Sequence, residues 1–257
     1  MMMNVKRFWV LCGVLLCGLT GRAQFLDGTT GLLQMPSADM HEGGTAMVFG
    51  NFLNPHTNST HWDYNTLAYG ANIAFFNRFE FAYICVLHHA EYTRYGIPVS
   101  LRDQDRHFAA KLLLLKEGEF GWNWLPALAV GVSDPADIKS LVGYIDAGKK
   151  AGSGYFSRLY AVATKHFQTP WGQLGAHAGW QYNRRTDFPL NGPCAGLDWR
   201  PVWLQAPWLD LDVVAEYDAR TFNVGFIAGL WDRVEVMFDL QSLRWVSFGV
   251  RYKINLL

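Results

Sequence analysis

Asp210 and Asp212 stand two residues apart in the segment LDLDVV. Paired carboxylates can split the acid and base roles of glycoside hydrolysis. On an extended strand such a pair lies about 7 Å apart, but regular placement on one strand face explains the spacing without a cleft. His88-His89 and His61 could ligate a metal or serve a Ser/His nucleophile,. Neither HExxH, GxSxG nor a Gly-rich phosphate loop accompanies them, and no CxxC or spaced Cys/His set suggests zinc. No cofactor, no metal and no catalytic residue is therefore assigned. His56, Asn58, Trp62, Tyr92, Arg94 and Tyr95 form an aromatic and polar mix of the kind that stacks on sugars, as loops of many exposed proteins do.

The more telling polar residues are those that recur at every second position. Between Glu216 and Lys253, charges alternate with apolar side chains. In 233–241, Val234, Val236, Phe238 and Leu240 share one face, with Arg233, Glu235, Asp239 and Gln241 on the other. This is the pattern of strands with one apolar and one polar face. The residues expected on the polar face are Glu80, His107, Lys111, His177, Gln181, Asp198, Arg200, Asp210, Asp212, Glu216, Asp218, Asn223, Glu235, Asp239, Arg251 and Lys253. They could form a hydrophilic conduit for a saccharide or ion. An ion-pair network that fills a narrow barrel is the favoured reading, because charges taken out of water need partners.

The elements that carry these residues begin behind a leader. In MMMNVKRFWVLCGVLLCGLTGRAQ, Lys6 and Arg7 precede an apolar core, and Gly21-Arg22-Ala23 offers a cleavage site, so residues 1–23 read as a signal peptide,. The apolar core is too short for the roughly 20 residues of a membrane helix. Leu16 before Cys17 argues against lipidation, since modified cysteines follow a small residue. Loss of Lys6, Arg7 and Arg22 from 22 basic residues leaves 19 against 22 acidic, near −3, which gives no basic excess for nucleic acid,. Cys85 and Cys194 lie far apart in strand order, so no disulfide is indicated.

Alternation between turn signals predicts twelve strands, at 45–53, 66–76, 79–88, 106–115, 125–133, 155–166, 172–182, 193–200, 208–217, 221–230, 233–241 and 244–254,. Most have the 9–11 residues that a tilted membrane strand requires. The connections sort by parity, except that 218–220 and 242–243 are short where long ones are expected. Those at 54–65, 89–105, 134–154 and 183–192 are long, whereas 77–78, 116–124, 167–171, 201–207 and 231–232 are shorter. Outer-membrane barrels combine an even strand count with short periplasmic turns and long external loops. Trp122, Trp124, Trp171, Trp199, Trp203, Trp208 and Trp231 cluster at the short-turn ends, as an interfacial aromatic girdle would. The expected architecture is an all-β, antiparallel transmembrane barrel over 45–257, its apolar face toward outer-membrane lipid; a secreted, soluble β-sandwich or barrel is the alternative. Segment 155–166 mixes Arg158 with Phe156, Tyr160 and Val162, which a strand-internal bulge would reconcile. Residues 134–148 read as a short helix in an external loop. Residues 24–44 are too turn-rich for a strand and are expected at the periplasmic mouth or inside the barrel.

Several stretches resemble the YjbH-like family of outer-membrane proteins associated with exopolysaccharide production. Gly31-Leu32-Leu33-Gln34-Met35-Pro36-Ser37-Ala38 is similar to its Gly-Leu-x-x-x-Pro-x-Ala opening. GVSDP (131–135), GYFSRLYAVATKHF (154–167), AGW (178–180), AEYD (215–218) and NVGF (223–226) resemble later landmarks, in order. Arg158 stands where the family has Glu, and an insertion separates Asp134 from Gly154. The resemblance implies an accessory to exopolysaccharide or capsule production or export, with polysaccharide or export-machinery proteins as partners. A small-solute or structural barrel is the runner-up, and an outer-membrane lipid- or sugar-modifying hydrolase the third reading.

Overall fold

The computed structural model describes residues 28–57, 64–94, 97–134, 156–183 and 190–256. The leader (1–23) and the helix expected at 134–148, apart from Asp134, lie outside the described residues, as do Asn58, His61, Trp62 and Tyr95 and the side chains of 88–103.

Twelve strands form one closed antiparallel barrel. They are β1 (Thr45–Leu53), β2 (Thr66–Phe75), β3 (Phe79–Arg94), β4 (Ile97–Leu115), β5 (Ala127–Ser133), β6 (Arg158–Thr169), β7 (Gly172–Tyr182), β8 (Gly192–Pro201), β9 (Leu209–Tyr217), β10 (Phe222–Leu230), β11 (Val234–Gln241) and β12 (Trp245–Asn255). Each strand pairs with its chain neighbours, and β1 closes on β12 from Thr45↔Asn255 to Phe52↔Phe248. Closure removes the two edges that an open sheet would leave with unpaired N–H and C=O groups. No described helix is long and apolar enough to cross a membrane, which says nothing of strands.

Period-2 alternation becomes an inside and an outside. On β12, Val246, Phe248, Val250 and Tyr252 point out, while Ser247 and Arg251 are buried within. The outer wall is apolar on the other strands too, as at Leu67, Phe81, Phe108, Leu128, Leu159 and Val213. Three hairpins close with three-residue turns, Phe76–Arg78, Trp231–Arg233 and Ser242–Arg244, the first two residues of each having φ near +50° to +55°. Left-handed pairs match the right-handed twist of the flanking strands. Asn and Asp tolerate that conformation, whereas Phe76 and Trp231 adopt it at some local cost.

Two expectations are corrected. The loop placed at 89–105 is a continuation of β3 and β4, paired out to Arg94↔Ile97. At about 3.3 Å per residue, the 19-residue β4 is about 60 Å long and outreaches the seven-residue β5 beside it,. Pairing of this hairpin with β2 ends at Val86 and pairing with β5 at Ala109, so the neighbouring strands impose no alternation on its outer part. The bulge expected in 155–166 is absent, for β6 pairs without interruption with both neighbours. Arg158, Tyr160, Val162 and Thr164 all turn inward, and Leu159 and Ala161 outward. The inward face is mixed because it meets an apolar guest. A register shift falls instead between Leu113 and Leu115, where β4 meets β5.

That guest is the N-terminal segment. Leu32, Leu33, Met35 and Ala38 share one apolar cluster with Phe49, Ile84, Tyr160, Val162, Val214, Ile227 and Met237 from the surrounding wall. Leu33 and Met35 are fully buried. Burial of side chains of this size stabilises by roughly 1.5–3 kcal/mol each. Inward glycines leave the space: a Cβ on Gly196 would fall 2.4 Å from a Leu32 methyl.

Candidate functional site

Residues 28–42 form a strap that crosses the barrel interior and returns. Its tip is a tight turn, with Leu32 N–H donating to the Met35 carbonyl at 2.9 Å and a bridge between Gly31 and Pro36. Gly31 and Pro36 suit such a turn, since one is permissive in φ and the other has it preset. The turn leaves the N–H groups of Leu33, Gln34 and Met35 pointing the same way. All three donate to the Glu216 carboxyl, at 3.0, 2.7 and 3.2 Å. Asn223 Nδ2 donates to Glu216 from the other side at 3.1 Å and also faces Asp218.

The strap's two ends meet a second carboxyl group. Glu80 accepts from Thr30 N–H at 2.7 Å and from His41 N–H at 2.9 Å. Lys111 Nζ, 3.9 Å from Glu80, donates to the carbonyls of Thr30, Ser37 and Asp39. Glu80 lies on β3 and Glu216 on β9, six strands apart in a ring of twelve, so they stand on opposite walls. The strap therefore spans the interior from one to the other. Between them, Asn72 holds the Gly28 carbonyl, Asp239 accepts from the Gln34 amide, and Arg158 bridges the Gln34 carbonyl and Gln181. Thr164 Oγ1 accepts from Ala38 N–H at 2.8 Å. Buried amides need partners, and the wall supplies them one by one.

The remaining polar-face residues lie on the same inner wall. Arg200 reaches Asp210 at 3.1 Å and Asp212 at 2.9 and 3.2 Å, so one guanidinium occupies both carboxyls of the pair. His177 is 2.6 Å from Asp198, and Glu235 pairs with Lys253. His107 stacks on Phe156 and lies 3.8 Å from Asp105. Arg251 is fully buried. Asp218 caps the turn to β10 by accepting from Arg220 and Thr221 N–H, and its carbonyl accepts from Gln181. At the strap's exit, Glu117 would be raised by burial, but hydrogen bonds from His166 and Lys165 prevail and hold it down at about 2,.

Outside, Trp122, Trp124, Trp171, Trp203, Trp208 and Trp231 are 52–69% exposed, all at the short-turn rim. Trp199 packs edge-on against Trp203, and Trp122 stacks on Trp124. Phe76 and Phe120 join the same rim.

A family model described as "Exopolysaccharide biosynthesis protein YbjH", that of the YjbH family, matches residues 24–194, well over half of the chain. The chain belongs to the YjbH family. No curated protein matches it. The YjbH match includes the whole strap and ends before Glu216. Several stretches quoted for the resemblance meet at the strap: Gly31–Ala38 is its body, Thr164 holds Ala38, and Glu216 with Asn223 holds the tip. Sequence reasoning missed Thr30, Asp39, Thr164 and His166 as partners in this interior, and missed the backbone donors of the tip. Only the Gly-x-x-x-x-Pro turn signal in 31–36 hinted that this segment was shaped rather than loose.

Proposed function

We propose that this YjbH-family chain is an outer-membrane barrel that supports exopolysaccharide production or export and is held closed at rest by its own N-terminal strap. The observation that carries the reading is the crossing of the interior by residues 28–42, pegged to Glu80 and Glu216 on opposite walls. An apolar outer wall and a tryptophan rim on a closed barrel favour a bilayer as its surroundings,. The leader at 1–23 delivers the chain across the inner membrane, and the family's description points to surface polysaccharide. The inner wall acts as a socket: its charged groups hold a peptide across the lumen, and export requires that peptide to move aside. Deletion of the gene is expected to reduce surface polysaccharide, with the protein in the outer-membrane fraction and its gel mobility shifted by boiling. Unchanged polysaccharide refutes the export role. A soluble protein without a heat shift refutes the membrane barrel.

A further inference from the structure

Where the strap leaves the interior, Asp39 meets a cluster that takes no part in holding the tip. One ligand atom each of Asp39, His166 and His177 lie within 4.8 Å of one another. His166 comes from β6 and His177 from β7, their rings edge-on with centroids 6.0 Å apart. Each Nδ1 is engaged from behind, that of His166 by Glu117 at 2.7 Å and that of His177 by Thr164 at 2.9 Å. Each Nε2 turns to a carboxylate, His166 to Asp39 at 3.6 Å and His177 to Asp198 at 2.6 Å. Histidines that bind metals present one nitrogen forward while a carboxylate or another polar group fixes the second. Both histidines here are oriented in that way.

The space is kept open by Gly175, where a Cβ would fall 1.9 Å from Asp198 Oδ1 and 2.9 Å from His177 Nε2. Asp39, Asp198 and His166 side chains retain 24%, 13% and 10% exposure, which leaves a path from the short-turn mouth. In a tetrahedral site with ligand distances near 2.1 Å, neighbouring ligand atoms lie about 3.4 Å apart. The 3.6 Å between His166 and Asp39 already fits,.

We propose that Asp39, His166 and His177 bind a divalent transition-metal ion of the Zn²⁺ class at this mouth, with Asp198 beside His177. Two imidazoles and one carboxylate, with the fourth position left to water, suit such an ion, whereas Ca²⁺ and Mg²⁺ prefer oxygen ligands. Because Asp39 belongs to the strap and His166 and His177 to β6 and β7, the ion ties the strap's exit to the wall. The metal holds the strap's exit and not its tip, so its failure would leave the closure by Glu80 and Glu216 standing.

The test uses the full chain refolded into detergent, with Co²⁺ as the probe. One equivalent is expected to bind with the visible absorption of four-coordinate cobalt, and Zn²⁺ to displace it. H166Q and D39N are expected to lose the signal, and E117Q, which removes the carboxylate behind His166 without touching the ion, to weaken binding about 10- to 100-fold. Zn²⁺ should also slow amide exchange in residues 36–42 at least tenfold in the native chain and not in H166Q. If H166Q gives no heat-shifted barrel, E117Q and D39N decide alone. No saturable Co²⁺ binding, or binding of equal strength in D39N and E117Q, overturns the site and assigns any bound ion to other groups.

Discussion

Replacement of Glu216 by alanine tests whether the strap is held by its tip. The change removes the acceptor of three backbone N–H groups, those of Leu33, Gln34 and Met35, and of the Asn223 amide. Each donor left unpaired in a buried site costs about 1–3 kcal/mol. The three tip amides share one acceptor and will not lose independently, because a water can enter the space vacated and serve more than one of them. A total of about 3 kcal/mol is therefore expected rather than the sum, equivalent to about a hundredfold in the docking equilibrium. The apolar contacts of Leu33 and Met35 with Ile227, Met237 and Val214 persist, so the strap is loosened and not expelled. The wall pairing of Glu216 with Gly196 and Asn223 is made by backbone, so the barrel stays closed. Hydrogen exchange read by mass spectrometry on peptides covering 30–38 should show about a hundredfold loss of protection, with strand peptides from β1 and β12 unchanged. In planar bilayers, the variant should show intermittent conductance steps that the native chain lacks. E216Q keeps one acceptor oxygen and should fall between the two. If the strap keeps its full protection in E216A, the tip is held by packing alone and the socket reasoning is refuted.

Leu33→Ala removes the side chain at the centre of the apolar cluster and should cost about 2–5 kcal/mol of docking, read as faster exchange of the strap with the heat shift intact. Val250→Arg puts a charge on the outer wall of β12 and should cost about 2–4 kcal/mol at mid-bilayer, seen as reduced folding into vesicles; equal folding yield would argue against lipid on that face. Cys85 and Cys194 are buried and unpaired, so a maleimide should label neither in the folded barrel and both after boiling in detergent.

The wall was readable because its physics is repetitive. Strands such as β11 and β12 have different surroundings on their two faces, and every second residue reports which one it meets. The reading failed where that condition lapses. The β3–β4 extension stands beyond the neighbouring strands, and Pro98 with scattered charges looks like loop although Thr93↔Pro98 is a paired position. On β6, a rule that inward means polar made Tyr160 and Val162 look misplaced and called for a bulge. Both residues obey the alternation and answer to a guest that lies 120 or more positions away in the chain.

The interior was readable only as chemistry without partners. Asp210 and Asp212 stand out in the sequence as a pair, yet Arg200 occupies both. Glu80 and Glu216 look like any other alternating acids, and they carry the strap. Nothing in a strand's own pattern separates a carboxyl that meets arginine from one that meets three backbone amides, because a backbone donor has no residue type. The strap is equally hard to see: its hydrogen bonds leave from N–H groups of Leu33, Gln34 and Met35, side chains that suggest only burial. The separation of 183 residues between Leu33 and Glu216 is closed by the barrel itself, which brings β3 and β9 to face each other across the interior. The proposed closure depends on that juxtaposition. The same acids on an open sheet would face water, where the tip amides would be hydrated and a carboxyl group would gain little by holding them.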